Sequence, residues 1–259
     1  MRKQTRCVTF TLAENCRAAA VGWAAVKQCP TRRRRVAFTL AEVLITLGII
    51  GIVAAMTLPT LVAKYQKDVT ITKLKKIYTV MNQAIKLSEV DNGVFSSWGI
   101  TSDTNPKEYV EKYWLPYFEG AELCETYSDC GYEKIRPWTK PDKTNVSQED
   151  VTGTQYRHAI KLKDGTVISF RIPPVTGSQV NNDAKINIDI NGPQKPNVSG
   201  IDYFWLIPTD KGVVFYGQDK DYEEIQNSCT KTSTNSLWGS YCFAKIVHDG
   251  WKIKDDYPW

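Results

Sequence analysis

The chain is 259 residues long, 42% apolar and 24% charged, which excludes a disordered or collagen-like polymer and leaves room for one medium domain plus an appendage. It has only two histidines, His158 and His248, so a histidine-rich metal centre is excluded. The formal net charge of +5 is unevenly divided: residues 1–37 hold nine basic side chains against one acid, whereas the other 222 residues hold 24 basic and 27 acidic groups and carry −3. A body that bound nucleic acid would show the reverse split, so no nucleic-acid partner is expected.

In chain order, the basic segment ends in Arg32-Arg33-Arg34-Arg35, and an apolar run follows at once. Val36 to Ala63 reads VAFTLAEVLITLGIIGIVAAMTLPTLVA, 28 residues with one charge, Glu42. About 20 apolar residues span the ~30 Å hydrocarbon core as a helix. The arginine flank keeps the N-terminal side cytoplasmic and places the rest of the chain outside. A cleaved secretory signal is the alternative, but its apolar region runs to ~7–15 residues and ends in a small-x-small site. Here the run is longer and passes straight into a patterned helix. Glu42 is costly inside a membrane, roughly 2.5–3.5 kcal/mol for an acidic residue at a helix centre, and such residues are functional candidates.

Arg34-Arg35-Val36-Ala37 followed by Phe38-Thr39-Leu40-Ala41-Glu42-Val43-Leu44-Ile45 closely resembles the prepilin cleavage and methylation motif of type IV pilins and type II secretion pseudopilins. The resemblance continues through Gly48, Gly51 and Pro59 and covers roughly residues 32–92. It implies that prepilin peptidase cuts between Ala37 and Phe38 and methylates the new N-terminus, and that Glu42 is the acidic fifth residue of the mature chain. Ala37 departs from the family pattern, in which the residue before the cut is usually Gly. Cleavage would leave a positive amine on Phe38, and Glu42 of one subunit could pair with the Phe38 amine of its neighbour, favouring one register of assembly. Val8-Thr9-Phe10-Thr11-Leu12-Ala13-Glu14 nearly copies the motif, but Asn15, Cys16 and Arg17 interrupt it. A start further downstream, for example at Val26, would leave a short basic leader.

Beyond Ala63 the pattern turns amphipathic. Leu74, Ile77, Tyr78, Met81 and Ile85 keep helical spacing, with Lys73, Lys75, Lys76, Gln83 and Lys86 on other faces, so the stripe is expected to pack on a globular domain. Asp91-Asn92-Gly93 is the stop, with Gly93 as the C-terminal cap. Residues 94–155 read as irregular, with a short helix near 106–118. Strands are expected at 156–163 and 166–172 around Asp164-Gly165, at 184–190, at 203–207 and 213–216, and at 241–247 and 251–253 around Asp249-Gly250. The fold class is therefore α+β, one long helix packed on a C-terminal antiparallel sheet, a pilin-like roll.

Cys7, Cys16 and Cys29 fall in the leader. Cys124, Cys130, Cys229 and Cys242 fall outside, where an even number points to two disulfides. Local pairing, Cys124–Cys130 and Cys229–Cys242, is the simplest of three connectivities; the resemblance implies that the second would staple a C-terminal loop. Zinc is disfavoured by the absence of a C-x-x-C pair. The loop from Asp189 to Asp202 concentrates oxygen donors, and some pseudopilins hold calcium in a late loop. Asp189, Asn191 and Asp202 are the candidate ligands, although such Gly/Pro/Asn clusters usually mark turns. No other cofactor is expected. Asn145-Val146-Ser147 and Asn197-Val198-Ser199 match the glycosylation triplet, a pattern common by chance. No nucleophile pairs with His158 or His248 in any catalytic pattern, and no enzymatic activity is expected.

The expected organisation is a leader at 1–37, a transmembrane and assembly helix at 38–63, its amphipathic continuation at 64–92, and an extracytoplasmic domain at 93–259. The resemblance implies a structural subunit, a pilin or pseudopilin and a minor one, held in the inner membrane and then in a filament. Its partners would be prepilin peptidase, other subunits, the assembly platform and membrane lipid. The alternative is an extracytoplasmic binding module that uses the same helix only as an anchor.

Overall fold

The structure is a computed structural model, and it describes residues 38–100, 104–143, 148–154, 156–173, 184–231 and 239–259. The expected leader with its three cysteines, Ala37 and the Asn145 triplet lie outside the described residues. The chain divides into two units, residues up to 52 and residues 53–259.

Helix α1 runs Leu40–Asn92. It stops where expected: Gly93 sits at φ 80° and its N–H donates to Glu89 O at 3.0 Å, a left-handed cap that suits a residue without Cβ. In the first unit the described residues are the start of this helix, and its apolar side chains are exposed, from Leu40 through Ile52.

The second unit is built on a six-stranded antiparallel meander in sequence order: β1 (Glu122–Cys124), β2 (Arg157–Lys161), β3 (Val167–Arg171), β4 (Lys185–Asp189), β5 (Tyr203–Thr209) and β6 (Gly212–Phe215). The register puts Ile160, Ile168, Ile188 and Phe204 in one row, with Phe170, Ile186 and Leu206 in the next. This face joins Leu74, Ile77, Met81 and Ile85 of α1 in one core, all of them buried. Each such side chain is worth roughly 1.5–3 kcal/mol of burial. The opposite face presents Ala159, Val167 and Tyr203 to a second cluster with Tyr132, Trp138 and Val151, in which Trp138 stacks on Tyr203 at 4.1 Å. Alternation along the strands thus buries both faces, one under helix and one under the segment around 124–151.

Helix α2 (Pro106–Tyr113) lies within the segment where a short helix is expected. Asn105 caps it by accepting from Lys107 N at 2.9 Å, and proline occupies its first turn. Trp114 at its end packs on Phe170 at 5.0 Å between ring centres.

Two differences from the sequence reading have physical causes. The Asp164-Gly165 hairpin exists, but its turn is longer than two residues. Lys161 pairs with Val167, and Leu162 N donates to Thr166 O, so three residues with Gly165 at φ 88° make the turn. The expected hairpin at 241–253 is not formed. Residues Cys242–His248 are a helix, α4, and Asp249-Gly250 is its stop. Gly250 N donates to Val247 O at 3.0 Å and Trp251 N to Ile246 O at 2.8 Å, the paired bonds of a Schellman ending, with Gly250 at φ 73°. Cys242 to Ile246 are buried on all sides, so this helix shows no polar face to betray its period. The remaining helix, α3 (Tyr222–Ser228), is capped by Asp221, which accepts from Glu224 N at 2.8 Å.

Candidate functional site

The start of α1 is a reciprocal cap. Glu42 N donates to Thr39 Oγ1 at 3.2 Å, and Glu42 Oε2 accepts from both Thr39 N and Thr39 Oγ1 at 2.8 Å. This is the capping-box arrangement, in which two orphan donors of a helix end are satisfied by the box residues. Glu42 therefore has a local role that the sequence reading missed, although its signal, Thr-x-x-Glu before an apolar run, was present. Both carboxylate bonds fall on Oε2, and Oε1 takes none among the described residues. Phe38 is 80% exposed beside it.

Downstream, α1 is long and apolar enough to cross a membrane. Its hydroxyls are internally satisfied. Thr46 donates to the Glu42 and Val43 carbonyls at 2.9 Å, Thr57 to Val53 O at 3.0 Å and Thr60 to Thr57 O at 2.9 Å. Such back-bonding is what a hydroxyl needs where no water is available. A Cβ added at Gly48 or Gly51 would meet nothing within 4 Å, so these positions leave open notches on the helix surface. Pro59 lies inside the helix and removes one backbone donor.

The loop after β4 brings Asp189, Asn191 and Asp202 together. Asp189 is fully buried; its Oδ2 accepts from Trp138 Nε1 at 2.6 Å and Tyr132 OH at 2.7 Å, and its Oδ1 from Asn191 N at 3.3 Å. Asp202 accepts from Val198 N at 2.6 Å and Asn197 N at 2.7 Å. Burial, then the Asp202 charge, pushes the Asp189 carboxyl well above the usual range; burial pushes Asp202 up to about 6 against those backbone donors. The carboxylates are thus ringed by N–H and O–H groups, a donor set that does not fit a cation. Among the described residues no group of three or more His, Cys, Asp or Glu could hold a metal ion. Through these bonds the two carboxylates tie the loop to Tyr132, Trp138 and its own backbone.

Disulfides join Cys124 to Cys130 and Cys229 to Cys242. The second ties the end of α3 to the start of α4. His158 is buried in β2, where burial lowers its pKa and leaves Nε2 without a partner, while His248 is exposed at the end of α4. Val198 and Ser199 of the second glycosylation triplet are buried. The sequence reading also missed Lys245. Its buried ammonium bonds Asp256 at 2.7 Å and Tyr222 OH at 3.1 Å and lies 3.4 Å from Asp249, fastening the C-terminal residues to α3 and α4.

Comparison with known families divides the chain at nearly the same place as its chemistry does. The model of the prokaryotic N-terminal methylation motif matches residues 32–58. The model described as "Family of unknown function (DUF6613)" matches residues 60–259. No curated protein matches the chain, and no solved structure does. The chain belongs to that family of unknown function. The motif ahead of it is the type IV pilin and pseudopilin signature, and it implies processing by prepilin peptidase and association with other subunits of this kind.

Proposed function

From that membership and that motif, we propose that this chain is made as a precursor and becomes a minor, non-enzymatic subunit of a type IV pilus or a type II secretion pseudopilus. Prepilin peptidase hydrolyses the Ala37–Phe38 bond and the new Phe38 amine is methylated. Residues 38–63 then hold the subunit in the inner membrane, 64–92 continue the helix, and 93–259 lie outside. The observation that carries this reading is Glu42. It is the one charge between Val36 and Ala63, and its Oε2 caps its own helix while Oε1 is left for a neighbour's amine. An incoming subunit brings that amine, and pairing it with Oε1 neutralises a carboxylate that lipid or a filament core would otherwise penalise.

The test is co-assembly. Wild type, Glu42→Val and Glu42→Gln are expressed with the host's assembly machinery, cells are sheared, and the filament fraction is blotted. Glu42→Val is expected to be processed and inserted in the membrane but excluded from filaments. Glu42→Gln keeps the cap, since an amide oxygen still accepts from Thr39 N, and should assemble partially. Normal incorporation of Glu42→Val would show that the carboxylate does not set the register, and would favour the anchored binding module.

A further inference from the structure

A cleft of about 470 Å³ opens between α1 and the loop after β4, within the 53–259 unit. One wall begins at Tyr65, two residues past the apolar run, and continues to Lys73. The other wall carries Lys143, Asn191, Lys195 and Trp259. Lys73, Lys143 and Lys195 are exposed, and Lys73 spends one ammonium donor on Ile190 O at 3.1 Å. One lining side chain is acidic, Asp202, which is buried and turned onto backbone N–H groups, and the α-carboxylate of Trp259 offsets one of the three lysines. The cleft is therefore positive toward solvent although residues 38–259 as a whole carry −3. Tyr65 is 68% exposed and Trp259 is half-buried, two amphipathic rings of the sort enriched at headgroup level. Asn191 lends the cleft a polar side chain, whose Nδ2 is held by Gln194 O at 2.9 Å.

We propose that this cleft docks the headgroup of an anionic phospholipid from the outer leaflet of the membrane that holds the subunit, with the three lysines around the phosphate. The inference rests on the membrane-anchored reading above. Position on the chain supports the lipid source: the cleft wall starts where the apolar run ends, and interfacial lysines near an anionic surface each add attraction that salt screens. The docked lipid would hold the subunit in its membrane-embedded state until a neighbouring subunit extracts it.

The experiment uses the full chain in detergent micelles, challenged with an equimolar mixture of phosphatidylglycerol and phosphatidylcholine, with retained lipid counted by native mass spectrometry. Wild type is expected to retain phosphatidylglycerol over phosphatidylcholine by ~10-fold or more, as a few lysines at a surface imply. Lys73→Ala, Lys143→Ala and Lys195→Ala combined should bring the ratio near one. A control of Lys134→Ala, Lys211→Ala and Lys252→Ala, exposed lysines outside the cleft, should leave it unchanged. No preference in wild type, or the same loss in both triple variants, overturns the headgroup site. Carbonate extraction of the same chain from membranes reads the anchor separately: release into the soluble fraction would sink the membrane reading instead.

Discussion

At the scale of single residues, Asp202 is pulled two ways by its hydrogen bonds and its burial. Two backbone N–H groups favour its ionised form, while burial favours the neutral one and wins, with a folded value of about 6 against 3.8 for a free carboxyl. The folded state therefore binds more protons than the unfolded chain between those values. This group's stabilisation is complete below the value of a free carboxyl and is lost as pH rises through the folded value of about 6. Asp202→Asn removes this group's titration and leaves that of Asp189. Urea midpoints at pH 4.5 and pH 7 should show the advantage of wild type over this variant shrinking as pH rises. An advantage that stays constant or grows with pH would contradict the assignment. The sequence marks this loop as rich in oxygen donors but not what the oxygens meet. Trp138 and Tyr132, whose donors reach Asp189, lie about 50 residues away in a segment that reads as irregular, so no spacing pattern connects them.

At the scale of elements, the edge of the sheet is closed by a side chain. β6 is the last strand, and an open edge invites pairing with another chain. Asn82 of α1 accepts from Val213 N and donates to Val213 O, both at 3.0 Å, reproducing with one amide what a neighbouring strand would offer. Gly212 next to it sits at φ 120°, and a Cβ there would stand 2.5 Å from Asn82 Oδ1, so the close approach requires glycine. Asn82→Ala leaves a buried N–H and C=O unpaired and should cost about 2 kcal/mol in urea unfolding. Thr79→Ala, exposed on the same helix, should fall within about 0.5 kcal/mol of wild type. Equal effects of the two would contradict the clamp. The elements themselves were legible in proportion to their periodicity. The stripe from Leu74 to Ile85 reads directly because it buries one side of its helix, and 184–190 because apolar and polar residues alternate there, although Asn187 and Asp189 on the polar side are buried too. Asp-Gly did not, because the same pair closes a hairpin at 164–165 and ends a helix at 249–250, and the residues before it are buried on all sides in both places.

At the scale of the whole chain, charge, pattern and family membership agree on a division near residue 60. Ahead of it lie a +8 segment and an apolar run with one carboxylate; after it lies an α+β body of the family of unknown function, with its two disulfides and slight negative charge. The first part is legible almost residue by residue, because membrane insertion and recognition by a peptidase act on linear sequence. The body is legible as a fold class and less so as a set of sites, because its polar networks join residues far apart in the chain. Those networks are structural: Arg157 sits buried between Glu149, Ser169 and Asn187, and Lys245 between Asp249 and Asp256, without a nucleophile or a metal-binding set among the described residues. A body of this kind is suited to being carried by its N-terminus, and the central claim is that the N-terminus is made by processing. Intact-mass spectrometry of the protein recovered from cells that also express a prepilin peptidase tests it most directly. The account predicts a mature chain that begins at Phe38 with one added methyl group; a chain that retains residues 1–37, or one cut after Ala63, would contradict it.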